Sequence, residues 1–231
     1  MLNSGAHRAD LPGGRGALGS EPPTLAADLF LIMLDDLSGK LRVHPRAAGY
    51  ALAGALLVEL WMKNRITLDK FQVIVKPDQA LPENDLLRRT LGWLLTEPEQ
   101  VGVTSWVEAM SAPALDHVAD QVERAGWIRR VERRRPGAGP LYESVDRNRV
   151  FWRTGRLTSA LTGEWEWPDA FLFVLVDAAG FTTGLFRNTA SPPSRDHLVG
   201  VFESVRDKYP SVVELVSVVR NLVDRVAVAP R

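Results

Sequence analysis

The stretch "AAGYALAGALLVELWM", residues 47–62, decides the fold that this sequence predicts. It is sixteen residues long, almost entirely apolar, and contains one acid, Glu59. A membrane-spanning helix needs about 20 apolar residues, so this length predicts a helix buried in a protein core. Pro45, just before it, fits the first turn of a helix, where its missing N–H would have no partner anyway.

Composition limits what the protein can do. The chain has 231 residues, 45% of them hydrophobic, and 28 basic residues balance 28 acidic ones, so overall charge does not favour a polyanionic partner. It has no cysteine, which excludes disulfides, thiolate metal sites and cysteine nucleophiles. No apolar stretch follows Arg8 as in a signal peptide, and we expect a cytoplasmic protein.

The order of sequence patterns predicts a mainly α-helical protein with one or two small β-hairpins. Residues 1–23 are rich in Gly and Pro and are predicted to be a disordered tail, and residues 24–228 to form one domain. Thr24 suits a helix N-cap. The predicted strands and hairpins cover residues 40–44, 65–77 and 127–145. The predicted helices cover residues 24–34, 45–62, 83–96, 101–110, 113–125, 149–161, 169–179, 194–208 and 211–226.

Motifs for catalysis or metal binding are not found in the sequence. Asp35 and Asp36 are adjacent, so on a helix end they diverge rather than face one site, and the Ser-Gly that follows is typical of a solvated turn. None of the four histidines forms a zinc-binding pair, and no nucleophile motif or phosphate loop is present. We therefore expect no enzyme, no metal and no cofactor.

A local excess of arginine is the first positive signal. Between residues 129 and 156 there are nine arginines against three acids. Such a segment is either a patch for phosphate groups or merely solvated surface. The predicted basic patch comprises Arg133, Arg134, Arg135, Arg149 and Arg153.

The arginine-rich hairpin follows a helix, as the wing does in a winged-helix DNA-binding protein. The preceding helix, however, carries Asp116, Asp120 and Glu123, which would repel DNA phosphates. A DNA-binding protein is therefore the alternative interpretation, and nucleic acid is the less favoured partner.

Two tryptophans in "TGEWEWPD" are the second signal. Trp165 and Trp167 flank Glu166 in a predicted loop before a helix. Indole side chains at such a position either anchor a protein at a membrane–water boundary or fill the core.

The motifs "DLFLIMLDDLSGKLR", "GYALAGALLVELWMKNRI" and "QVERAGWIRR" resemble the Golgi phosphoprotein 3 family, in particular its shorter bacterial members, over residues 24–142. The resemblance implies a single helical domain with a protruding hairpin. It implies a peripheral membrane protein that binds phosphatidylinositol 4-phosphate, an adaptor for protein cargo, and self-association through a hairpin near residues 67–76. It implies no catalytic activity.

The family's headgroup residues match this chain poorly. His44 stands where the family has a Trp, Ala53 stands where it has an Arg, and residues 164–169 align with a pair of arginines that this chain lacks. Arg42 and Arg46 flank His44 and could supply phosphate contacts. The predicted headgroup residues are Arg42, His44, Arg46, Trp165 and Trp167, and the predicted partner is an anionic phospholipid surface. A scaffold that has lost lipid binding is a further alternative.

Overall fold

The computed structural model describes residues 24–35, 37–76, 78–97, 102–131, 140–187 and 189–228. Within these ranges it has nine helices and two separate antiparallel hairpins. The helices are α1 (Leu25–Met33), α2 (Pro45–Met62), α3 (Asp85–Thr96), α4 (Val103–Arg124), α5 (Arg147–Thr162), α6 (Trp167–Ala178), α7 (Thr182–Leu185), α8 (Arg195–Lys208) and α9 (Pro210–Val228). The strands are β1 (Ile66–Asp69), β2 (Gln72–Val75), β3 (Ile128–Val131) and β4 (Leu141–Ser144).

Helix α2 is the centre of the molecule. It packs against α1, α4, α6 and α9, and it is buried from Ala47 to Leu60. Two glycines allow this close packing. A Cβ atom at Gly49 would lie 2.4 Å from the carbonyl oxygen of Ser111 in α4, and one at Gly54 would lie 2.7 Å from Val219 in α9. The apolar stretch therefore forms the core, as predicted, and no described helix has the length and hydropathy needed to cross a membrane.

The first turn of α1 is fixed by polar groups that are themselves buried. The Thr24 hydroxyl accepts a hydrogen bond from the Ala27 N–H at 3.0 Å, which is the predicted N-cap. The Glu59 carboxylate in α2 accepts one from the Leu25 N–H at 3.0 Å. Glu59 is only 8% exposed, and this burial raises the pKa of its carboxyl to about 7. The single acid of the apolar helix thus holds α1 against α2.

The two hairpins confirm the predictions for residues 65–77 and 127–145. Strands β1 and β2 meet at Lys70 and Phe71, which both have positive φ, as the tight turn of a two-residue hairpin requires. The Val103 N–H donates to the Phe71 carbonyl at 2.8 Å, and the Phe71 N–H donates to Glu214 at 3.2 Å, so the turn is held by α4 and α9.

Two secondary-structure predictions were wrong, one for a strand and one for a break between two helices. Residues 40–44 form no strand, and only an isolated bridge joins Leu34 to Leu41. The helices predicted at 101–110 and 113–125 are one helix, α4, which continues through Pro113. A proline inside a helix costs about 3 kcal/mol, and burial of Met110 and Ala114 on either side offsets that cost. The short helix α7 was not predicted.

The acidic turn after α1 has no catalytic geometry. The Asp35 carboxylate accepts hydrogen bonds from the N–H groups of Leu37 and Ser38 at 3.0 and 3.1 Å. These bonds, the one from Ser38 above all, lower the pKa of Asp35. Asp35 therefore stabilises a solvated turn, while Asp36 lies outside the described residues.

The substitution Gly49→Ala tests the close packing of α2 on α4. The added Cβ atom would overlap the Ser111 carbonyl oxygen, so we expect the free energy of unfolding to fall by about 2 kcal/mol. Urea denaturation measures it. Gly92→Ala is the matched control, because nothing lies within 4 Å of a Cβ atom there. Its free energy of unfolding should rise by about 0.5 kcal/mol, because alanine has the higher helix propensity. Equal changes in the free energy of unfolding at the two sites would contradict the packing argument.

Glu59→Gln tests the buried carboxyl. The folded protein holds its proton more tightly than the unfolded chain does, because its pKa is raised from 4.5 to about 7. The contribution of Glu59 to the free energy of unfolding is therefore fully present below the pKa of the unfolded chain, and it is lost as pH rises through about 7. Between about pH 5.5 and about pH 8 the wild type should lose about 2 kcal/mol through Glu59.

The Gln variant keeps an oxygen that can accept from Leu25, and it should lack that part of the pH dependence. Urea denaturation at the two pH values gives the comparison. An identical pH dependence in wild type and variant would show that Glu59 is not the titrating group.

Candidate functional site

A surface pocket of about 740 Å³ lies where the start of α2 meets the end of α9. The structure brings together three of the residues singled out from the sequence, Arg42, His44 and Arg46. The other lining residues are Val43, Ala47, Tyr50, Glu108, Ala179, Gly180 and residues 222–227. The pocket is therefore built by the segment before α2, by α4, by the end of α6 and by α9.

The α2 N-terminus sets the orientation of the basic side chains. His44 is the N-cap residue, and its Nδ1 accepts a hydrogen bond from the Arg46 N–H at 3.2 Å. Neutral His44 consequently carries its proton on Nε2, which can donate to a ligand. The Arg46 Nε donates to the Tyr50 hydroxyl at 2.8 Å. The Arg42 Nε lies 3.8 Å from the Asp35 Oδ2, and the Arg42 Cζ lies 5.9 Å from the centre of the Phe181 ring.

This side of the pocket suits an anion. The amide dipoles of an 18-residue helix place partial positive charge at its N-terminus, beside two guanidinium groups. The pocket as a whole has mixed charge, because Glu108 and Asp224 line it together with Arg225. A ligand that fits the whole pocket therefore needs an anionic group toward α2 and hydrogen-bond donors toward the two carboxylates.

Trp165 and Trp167 do not line this pocket, so the structure does not bring them together with the other three predicted headgroup residues. Their rings are 5.2 Å apart, and Trp167 packs 4.8 Å from Tyr209. Lys208 lies over the Trp167 ring at 4.5 Å. Both tryptophans are partly buried against the core. They join α6 to α8 and α9, which is the packing alternative weighed for them.

Of the five arginines in the predicted basic patch, the structure describes the side chain of Arg153 alone. Arg133, Arg134 and Arg135 lie outside the described residues, as does the side chain of Arg149. Arg153 points inward, contrary to prediction. Its Nε is 3.2 Å from the Asp28 carboxylate, and its side chain is 11% exposed.

The neighbouring hairpin arginines are paired with acids. Arg129 contacts Glu143 at 2.6 Å, and Arg130 contacts Asp120 at 2.8 Å. The acids of the helix before the hairpin therefore neutralise part of its charge.

Positions that differ from the family pattern also have structural explanations. Ala53 is completely buried in the core and does not line the pocket. In the stretch 164–169, Asp169 caps α6 and contacts Arg156 at 3.1 Å. Sequence reasoning missed Tyr50, Glu108 and the end of α9, since nothing in the sequence indicates which distant helix closes the pocket. The described residues contain no cluster of three acids or histidines that could hold a metal ion.

Fold and site together define a helical domain with two hairpins and an arginine-lined surface pocket. The sequence matches the family model of Golgi phosphoprotein 3 over residues 25–220, most of the chain, and the protein belongs to this family. A search of curated proteins finds no match.

Arg153→Gln tests whether this arginine is structural. Burial raises the pKa of Asp28, and the positive charge of Arg153 is the main opposing effect. Removing one partner of a buried ion pair leaves an uncompensated charge, so we expect a loss of about 3 kcal/mol in the free energy of unfolding. Thermal and urea denaturation measure it.

Arg129→Gln is the control, because Arg129 also pairs with a carboxylate but is exposed. It should leave unfolding unchanged within error. Comparable losses in the two variants would contradict the inward placement of Arg153.

Proposed function

We propose that the protein associates reversibly with membranes by binding an anionic lipid headgroup in the pocket formed by Arg42, His44 and Arg46. The observation that carries this proposal is the convergence of these three side chains at the N-terminus of α2, in a chain of the Golgi phosphoprotein 3 family. Phosphatidylinositol 4-phosphate is the ligand that the family resemblance implies.

The arrangement of charges supports a headgroup with both phosphate and hydroxyl groups. Phosphate fits against Arg42 and Arg46, with Nε2 of His44 as a further donor. Hydroxyl groups on the same headgroup can donate to Glu108 and Asp224, which also line the pocket. Because the pocket contains carboxylates as well as arginines, attraction alone does not select the ligand.

The wider role proposed is that of an adaptor at the cytoplasmic face of a membrane, which holds protein cargo near the lipid surface. Such a role needs no catalytic group. It requires weak, salt-sensitive lipid contacts, because each basic side chain near an anionic surface contributes about 1 kcal/mol and added salt screens that contribution.

Flotation with liposomes tests the lipid proposal. Vesicles of neutral lipid, of neutral lipid with a generic anionic lipid, and of neutral lipid with phosphatidylinositol 4-phosphate are compared at low and high salt. Duplex DNA is added as a competitor. We expect binding to anionic vesicles, strongest with phosphatidylinositol 4-phosphate, and a loss of about 30-fold in the double variant Arg42→Gln/Arg46→Gln.

The matched control is Arg195→Gln/Arg206→Gln, which removes two arginines of α8 that do not line the pocket. It should bind vesicles as the wild type does, and thermal denaturation checks that both variants fold. Equal losses of vesicle binding in the two variants would show that the protein binds vesicles through nonspecific charge attraction rather than through the pocket. Failure of the wild type to float with any vesicle would refute lipid binding and favour a scaffold that binds only protein.

A further inference from the structure

Trp152 is a large apolar side chain at the surface of α5 that contacts two arginines. It is 54% exposed, yet the guanidinium groups of Arg153 and Arg156 lie 4.8 and 6.0 Å from its ring. Both arginines are fixed in turn, Arg153 by Asp28 at 3.2 Å and Arg156 by Asp169 at 3.1 Å. Little conformational entropy remains for Trp152 to lose on binding, which is the property of an interface anchor.

A groove of about 700 Å³ runs along the same face of α5, beside Trp152. Its other lining residues are Gly155, Arg156, Ser159, Ala160, Gly163 and Glu164. Leu157 and Leu161 on the opposite face are buried in the core. The groove is therefore the outer surface of a helix whose inner surface is already packed.

The charges of the groove indicate what fills it. Arg156 and Glu164 are its only ionisable lining residues, and they lie eight positions apart toward its two ends. Asp169 already balances part of the Arg156 charge, so the groove has no net positive charge and does not attract a polyanion such as a membrane surface. It is instead complementary to itself, since it offers a projecting ring and a recess, a cation and an anion. Self-complementarity is what a two-fold symmetric interface requires.

We propose that this groove is the contact between two copies of this chain, with their α5 helices antiparallel. In that arrangement Gly155 of each copy lies opposite Gly163 of the other, and the ring of Trp152 packs at the far end of the other groove. Arg156 of each copy lies about two positions, roughly 3 Å along the helix, from the point opposite Glu164 of the other, which is within reach of two long side chains. The two-fold axis passes close to Ser159, which is midway between the two glycines.

The glycines let the helix axes approach closely, because interaxial distance depends on the side chains at the contact. This surface differs from the hairpin near residues 67–76, through which self-association was expected from the family resemblance. It also does not involve the pocket at the start of α2, so dimer formation and headgroup binding are independent.

Sedimentation velocity over a range of protein concentrations, with the full chain, tests the contact. The wild type should form a reversible dimer. Gly155→Leu should raise the dimer dissociation constant at least about tenfold, because overpacking a fitted contact is unfavourable. Nothing lies within 4 Å of a Cβ atom at Gly155, so the isolated subunit should tolerate the leucine. Trp152→Ala should weaken the dimer as well.

Gly200→Leu in α8 is the matched control, since it is the same change at another helical glycine with nothing within 4 Å. It should leave the dimer unchanged, and thermal denaturation of all three variants checks the fold. A wild type that is monomeric at every concentration would overturn the proposal. So would a dimer that neither Gly155→Leu nor Trp152→Ala weakens.

The absence of cysteine from the sequence allows a direct test of the two-fold axis. Ser159→Cys places one thiol beside the axis in each copy. Mild oxidation of this variant should therefore join the two copies through a single disulfide between these thiols. Ser191→Cys, at another exposed serine outside the groove, should link far more slowly. Equal rates of linkage at the two positions would place the contact elsewhere.

Discussion

Burial of α2 is the constraint on which the rest of the structure depends. A helix that is apolar on every side must be covered on every side, and here α1, α4, α6 and α9 cover it. These helices pack so closely on α2 that a side chain would not fit at Gly49 or at Gly54. The hairpins contribute less to this core. Strand β1 closes the end of α2, and β4 packs on α1, where Tyr142 contacts Phe30 edge to face at 5.1 Å.

Much of this fold could be predicted because its signals are local. Capping residues, turn residues and the 3.6-residue period are properties of a few neighbouring positions, and they located most of the helices and both hairpins. The failures are places where a distant contact overrides a local rule. Pro113 is a helix breaker by local rules, but α4 continues through it because both flanking turns are buried against α2. Residues 40–44 have a strand-like composition but find no second strand to pair with.

The functional surfaces were less predictable for the same reason. Nothing near Arg153 in the sequence reveals that it points inward, because its partner Asp28 lies in α1, more than a hundred positions earlier. The sequence around Trp165 and Trp167 is likewise compatible with either a membrane anchor or core packing. The contact that distinguishes them, between Trp167 and Tyr209 at the α8–α9 junction, is visible only in the structure. Arg42, His44 and Arg46 were found because they are close in sequence and share the start of one helix.

The division of the arginines between the interior and the pocket has a consequence for specificity. Several arginines that could have formed a basic surface instead form ion pairs with acids. These pairs are Arg153 with Asp28, Arg156 with Asp169 and Arg130 with Asp120. The chain as a whole is neutral, so long-range attraction to a polyanion is weak. What remains is a pocket that is lined by both arginines and carboxylates. Such a site discriminates by whether a ligand supplies acceptors for the arginines and donors for the carboxylates at once, since a ligand that supplies only one of these leaves the other charged groups unsatisfied.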